Sequence, residues 1–155
     1  MRERINDDVK RAMKSGDKAR LSTLRLVNAA IKDRDLAIGA PEKGQPAGAH
    51  KISDQEIQSL LQKMVKQRRE SLEIYAKAGR RDLADQEAAE ITVIEGYLPK
   101  QMSEAETKAA IEALVKELGA AGLKDMGRVM GAAKERYAGR MDVAKASGIV
   151  KELLK

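Results

Sequence analysis

The chain has 155 residues, with 30 Lys and Arg against 24 Asp and Glu for a formal charge of +6, three Tyr, and no Phe, Trp or Cys. That length allows one good core or two small ones and excludes a large catalytic architecture with inserted lids. Without Cys there is no disulfide framework, thiolate metal site or cysteine nucleophile, which is consistent with a reducing compartment. No run reaches signal-peptide length or the roughly 18 apolar residues of a membrane span, so the expectation is a cytoplasmic protein with no membrane contact.

The core must be built from Leu, Ile, Val, Met and Ala, and this aromatic-poor composition reads as all-α. From Arg2 to Lys14, the four-residue spacing of Ile5, Val9 and Met13 predicts a narrow apolar stripe on a first helix. Ser15-Gly16-Asp17 ends it and offers Asp17 as the cap of a second helix, in which Leu21, Leu24, Val27 and Ile31 keep the helical period to about Ile38. Gly39 to Lys51, with three Gly and two Pro, reads as a loop.

Ser53-Asp54-Gln55-Glu56 has the form of a capping box, in which the Ser and Glu side chains each satisfy a free amide at a helix start. The third helix carries Ile57, Leu60, Leu61, Met64, Val65, Leu72 and Tyr75 inward and leaves through Gly79 in a left-handed turn. A fourth runs from about Arg81 with Leu83, Ala84, Ala88, Ile91 and Ile94 inward, and it closes at Gly96-Tyr97-Leu98-Pro99. Ser103-Glu104-Ala105-Glu106 is a second capping box, opening a fifth helix with Ile111, Leu114, Val115 and Leu118 on one side and Gly119 and Gly122 at its end. Two short helices follow, one with Met126, Val129, Met130 and Ala133, the other with Val143, Ile149, Val150, Leu153 and Leu154, separated at Gly139. The expected organisation is an N-terminal helical bundle over residues 1–98 and a small three-helix C-terminal domain over residues 99–155.

Charge is unevenly spread. Residues 101–123 hold two Lys against four Glu, whereas residues 124–155 hold eight Lys and Arg against four Asp and Glu. Lys124, Arg128, Lys134, Arg136, Arg140 and Lys145 are therefore the candidate nucleic-acid-binding residues, and scattered solubilising charge is the alternative reading. With no Phe or Trp to stack unpaired bases, the form of binding this composition permits is recognition of a folded RNA through backbone and shape. Gly127 and Gly131 repeat glycine at four-residue spacing on a helix, where glycine is unfavourable; a close neighbouring helix or a ligand backbone such as phosphate would explain them.

Catalytic patterns are missing from the sequence. There is no Walker A loop, no Gly-x-Ser-x-Gly elbow, no His-Glu-x-x-His and no Gly/Ser nucleophile run of the amidase type. His50 is the only histidine and falls in the Gly/Pro loop, without a fixed setting for a general base. Glu87 and Glu90, with Asp82 and Asp85 nearby, are expected to form the solvated side of an amphipathic helix paired with Arg80 and Arg81, and a weak oxygen-only carboxylate cluster is the alternative. No catalytic residue, metal or cofactor is expected.

Longer strings carry a resemblance. Residues Tyr75 to Ala84 (YAKAGRRDLA), then Glu87, Glu90 and Gly96-Tyr97-Leu98-Pro99, then Asp125 to Gly131 (DMGRVMG) and Gly139-Arg140, together with the Lys18 to Ile31 stretch, resemble the YqeY family across essentially the whole chain. That family shares its domain with the tail of the B subunit of the glutamine-dependent aminoacyl-tRNA amidotransferase, the GatB/YqeY family. The resemblance implies a helical bundle plus a small helical domain, and in the amidotransferase this tail helps to hold transfer RNA while a separate cradle domain does the chemistry. Gly127, Arg128, Gly131, Gly139 and Arg140 match the small-domain motif. The expectation is a non-catalytic tRNA-associated binding protein whose partners are tRNA or another folded RNA and a tRNA-dependent amidotransferase or aminoacylation machinery. The alternatives are a helical protein-interaction adaptor without RNA, and, by family label, a carbon–nitrogen ligase with glutamine as amide donor.

Overall fold

A computed structural model describes residues 1–38 and 51–155. Every regular element among them is helical: α1 (Arg2–Ser15), α2 (Lys18–Ile38), α3 (Asp54–Lys77), α4 (Arg81–Glu95), α5 (Glu104–Leu118), a 3-10 turn (Leu123–Asp125), α6 (Met126–Arg136) and α7 (Val143–Leu153). The expected Gly39 to Lys51 loop, with His50 in it, lies outside the described residues apart from Lys51. Backbone contacts divide the chain into Met1–Leu98 and Pro99–Lys155, each with a core of its own.

In the first unit, local chemistry sets the helix ends. Gly16 takes the left-handed conformation at φ +71 that ends α1, and Asp17 Oδ1 then accepts the Arg20 amide at 3.1 Å to start α2. At α3 both halves of the capping box form: the Glu56 amide donates to Ser53 Oγ at 3.2 Å and the Ser53 amide to Glu56 Oε2 at 2.7 Å. α1 packs on α2, and α4 on both α2 and α3. Ile5, Leu24, Val27, Ile31, Ile57, Leu61 and Ile94 are buried between them, and truncating any one to Ala should cost about 2–5 kcal/mol.

The periodicity misplaces two residues here. Ala12, not Met13, continues the buried stripe of α1 from Ile5, and Met13 is exposed. A stripe following 3.6 residues per turn drifts if extended by fours alone, and the step of three from Val9 to Ala12 restores it. Ala88 is likewise exposed on α4, while Glu87 is half-buried.

Two polar links tie remote segments of this unit. Asp35 accepts both Arg2 guanidinium nitrogens, at 2.8 and 3.0 Å, and the Ile52 amide at 2.8 Å. Tyr97, buried beyond the end of α4, donates its hydroxyl to Asp8 Oδ2 at 2.5 Å, while the Arg4 guanidinium lies 4.9 Å over its ring and donates to the Gly96 carbonyl.

In the second unit α5, α6 and α7 all pack on one another around Ile111, Leu114, Val129, Ala133, Ala146 and Val150. The Ser103 and Glu106 capping box forms at α5, and Gly119 closes that helix at φ +62. On α7 and at its C-terminal cap, Ala146, Val150 and Leu154 face inward, whereas Val143 and Leu153, expected inward, are exposed. A small Ala sets the stripe where the bulkier aliphatics suggested a different register.

Candidate nucleic-acid interface

The six candidate cations divide into two kinds. All three arginines hold the second unit together. Arg128 Nη2 donates to the Leu118 carbonyl at 2.9 Å, satisfying a free acceptor at the C-terminal end of α5, and approaches Asp125 Oδ1 at 3.5 Å. Asp125 also accepts the Ala121 amide at 3.0 Å. That hydrogen bond, with Arg128 and Lys124 nearby, holds the Asp125 carboxyl below its ordinary value. Arg136 forms a two-pronged pair with Glu117, Nη1 to Oε2 at 2.6 Å and Nη2 to Oε1, and the guanidinium holds the Glu117 carboxyl below its usual range.

Arg140 fixes the entry to α5. Its Nε donates to the Lys100 carbonyl at 3.3 Å and its own carbonyl accepts the Met102 amide at 2.9 Å. Gln101 Nε2 donates to the carbonyls of Pro99 at 2.8 Å and Gly139 at 2.7 Å. Gly139 stands at φ +72, where a side chain would be strained, so the Gly139-Arg140 pair is explained by the turn it makes.

The three lysines are different. Lys124, Lys134 and Lys145 are exposed and make no hydrogen bond or ion pair through their side chains among the described residues. On α6, Lys134 and Arg136 are two residues apart, about 200° round the axis, so they stand on opposite flanks of that helix. Lys134 instead shares a side with Gly127 and Gly131, within about 60°.

Those two glycines are not explained by a neighbouring helix. A Cβ built on Gly127 or on Gly131 would meet nothing within 4 Å, and neither has a positive φ. The close-neighbour reading is therefore corrected: the packing of α6 on α5 and α7 runs through Val129, Met130 and Ala133, on the other side. What remains on the glycine side is a bare helical backbone beside Lys134.

Glu87 and Glu90 are also misread as a solvated face. Glu90 Oε2 accepts Arg68 Nε at 3.0 Å, with side-chain exposures of 16% and 15%. Glu87 Oε2 is buried without a hydrogen-bond partner, and burial, with Glu90 adding to it, pushes that carboxyl above its ordinary value. Arg80 pairs with Asp82, not with these residues. The signal was legible: Glu87 is four residues after Leu83 and four before Ile91, on the apolar stripe. The sequence offered no comparable sign of the pairs Arg2 with Asp35 and Asp8 with Tyr97, which join residues 33 and 89 apart.

The chain is similar to three fungal proteins, each named Altered inheritance of mitochondria protein 41, mitochondrial. That of Pyrenophora tritici-repentis is 33% identical over 139 residues, covering 86% of this chain and 71% of the relative. Those of Lachancea thermotolerans and Eremothecium gossypii are 30% and 31% identical over 74% of this chain, which spans only 57% and 58% of their lengths. These names overturn the cytoplasmic expectation, since all three relatives are mitochondrial by name. The physical reason is that compartment is set by targeting segments, whereas the composition of a folded domain carries no such address. The family model described as Yqey-like protein matches residues 2–154, and the chain belongs to that YqeY-like family.

Proposed function

We propose that the chain is a non-catalytic binding protein for a folded RNA, with transfer RNA as the favoured class, and that its N-terminal bundle (1–98) and three-helix domain (99–155) are two functional domains. The observation that carries this reading is the side of α6 where bare backbone at Gly127 and Gly131 lies beside Lys134. A sugar-phosphate backbone needs close approach and a cation, and this side supplies both without competing carboxylates paired to that lysine.

Lys124 and Lys145 extend the positive field, and Arg128, Arg136 and Arg140 add charge while holding α5, the Glu117 side chain and the Lys100 carbonyl. The resemblance to the amidotransferase tail supplies the RNA class, and docking on a tRNA-dependent amidotransferase or aminoacylation machinery belongs to the same proposal. The protein-adaptor reading draws on the exposed Leu123, Val143 and Leu153 of the second unit.

The test is to capture the full chain from cells and sequence its bound RNA, with glutamine hydrolysis assayed on the same preparation. Enrichment of tRNA over total RNA with no hydrolysis supports the reading. Protein partners without RNA would favour the adaptor, and hydrolysis by the chain alone would restore the ligase label.

A further inference from the structure

The arginines of this chain are rarely idle. Arg2, Arg4, Arg11, Arg68, Arg69 and Arg80 each hold a carboxylate or a carbonyl in the first unit. Against that background α2 is unusual. It carries Lys18, Arg20, Arg25, Lys32 and Arg34 against Asp33 and Asp35 alone, and Asp35 is already taken by Arg2.

Lys18, Arg25 and Lys32 are seven residues apart, so they form one row with a drift of about 20° per step. All three are exposed and make no hydrogen bond or ion pair through their side chains among the described residues. Asp33, at the margin of the row, makes none either. The buried residues of α2 are Thr23, Leu24, Val27, Ile31 and Asp35, and the row stands roughly 130° round the helix from their centre. Between the cations along the row lie exposed Ser22 and Ala29, too short to hold an approaching surface away.

We propose that this outer face of α2 is a second RNA-docking surface, on which Lys18, Arg25 and Lys32 each neutralise a different phosphate of a folded RNA. The inference rests on the RNA-binding reading above and assigns it a surface in the first unit. Charge complementarity carries it: an unpaired row of three cations suits a regularly charged polyanion. Successive cations are about 10.5 Å apart at 1.5 Å per residue, so they do not compete for one phosphate. Their flexible stems let each charge find a phosphate without an exact register, so the surface adds affinity with little sequence preference.

The experiment measures binding of bulk folded tRNA to the full chain across a salt series at fixed Mg²⁺. The row is neutralised as Lys18→Ala, Arg25→Ala, Lys32→Ala, and again as the three Gln variants in case Ala alters folding, with helicity and melting checked in both. Lys63→Ala, Lys66→Ala, Lys77→Ala removes equal charge from exposed positions on α3, where Glu70 and Glu73 intervene, and serves as control. Loss of the row should lower the slope of log affinity against log salt by roughly 2–3 units, at about 0.7–0.9 per phosphate contact, with the control changing it by less than about 1. Equal effects of both triples would overturn the row in favour of diffuse charge. An unchanged slope in a parent that binds would overturn the α2 surface and leave the RNA function standing, whereas a parent that does not bind tRNA overturns both.

Discussion

Asp35 receives the Arg2 guanidinium on both of its oxygens, so the start of the chain is locked to the last turn of α2 by a pair that is mostly withdrawn from water. The same carboxylate accepts the Ile52 amide, which joins the entry of α3 to the pair. Breaking such a pair from one side leaves an unmatched buried charge, so Arg2→Ala should destabilise the first unit by about 3 kcal/mol. The pH dependence follows from the carboxyl, held below its ordinary value of 3.8 by Arg2. Its stabilisation is complete above that ordinary value and is lost as pH falls through the lower folded one. Denaturant unfolding from pH 7 to 2 should show an acid loss in the parent that Asp35→Asn diminishes; an unchanged acid limb would contradict this.

The Tyr97 hydroxyl, buried and donating to Asp8, has its pKa pushed up to about 12, first by burial and then by that bond. A raised pKa means that the contribution is fully present below about 10 and is lost as pH rises through 12. Tyr97→Phe leaves Asp8 Oδ2 without that donor, Arg11 reaching only Oδ1, and should cost about 1.5–3 kcal/mol at neutral pH. Ultraviolet titration of the folded chain should show one late tyrosine, absent from the variant. A parent titration in which Tyr97 ionises near 10 would count against the buried bond.

Glu87 carries the opposite sign from Asp35. Between its ordinary value of 4.5 and its raised folded value, the native state keeps a proton that the unfolded chain has released, so stability falls as pH rises through that window. Glu87→Gln keeps the shape and removes the buried charge. The variant should gain on the order of 1 kcal/mol at pH 7, with the difference shrinking toward pH 4. A loss of stability at pH 7 would show that the ionised carboxylate has a partner worth more than its burial costs.

Caps and glycines were legible because they act locally. Ser53 with Glu56 and Ser103 with Glu106 need only three residues of separation to form, and Gly16, Gly79 and Gly119 end helices by their own backbone freedom. Register was less secure wherever a small residue holds the buried place, as Ala12 does beside Met13 and Ala146 beside Val143. The basic residues after Lys124 could be picked out from charge alone. That the arginines among them are engaged and the lysines free depends on Leu118, Glu117 and Lys100, which folding brings from another segment. The unpaired row on α2 was hidden for the same reason: pairing, unlike charge, is a tertiary property.

Gly127 and Gly131 separate stability from function. Each has a negative φ and open space where a Cβ would stand, so Ala at either position should stabilise α6 by about 0.5–1 kcal/mol. If an RNA backbone lies against that side, the same substitutions should weaken tRNA binding while the melting temperature rises. Greater stability with unchanged affinity would move the RNA off the glycine side.

The most direct measurement is the salt dependence of tRNA affinity for the parent and for Lys124→Ala, Lys134→Ala, Lys145→Ala. Lysines are the right probes because Arg128 and Arg140 also hold the Leu118 and Lys100 carbonyls, so removing them mixes stability with binding. Exposed lysines without a hydrogen bond or ion pair should leave stability within about 0.5 kcal/mol. The expected result is tRNA binding that weakens steeply with salt in the parent, with a slope lower by roughly 2–3 units in the triple variant. Absence of binding by the parent, or a slope indifferent to all three lysines, would contradict it.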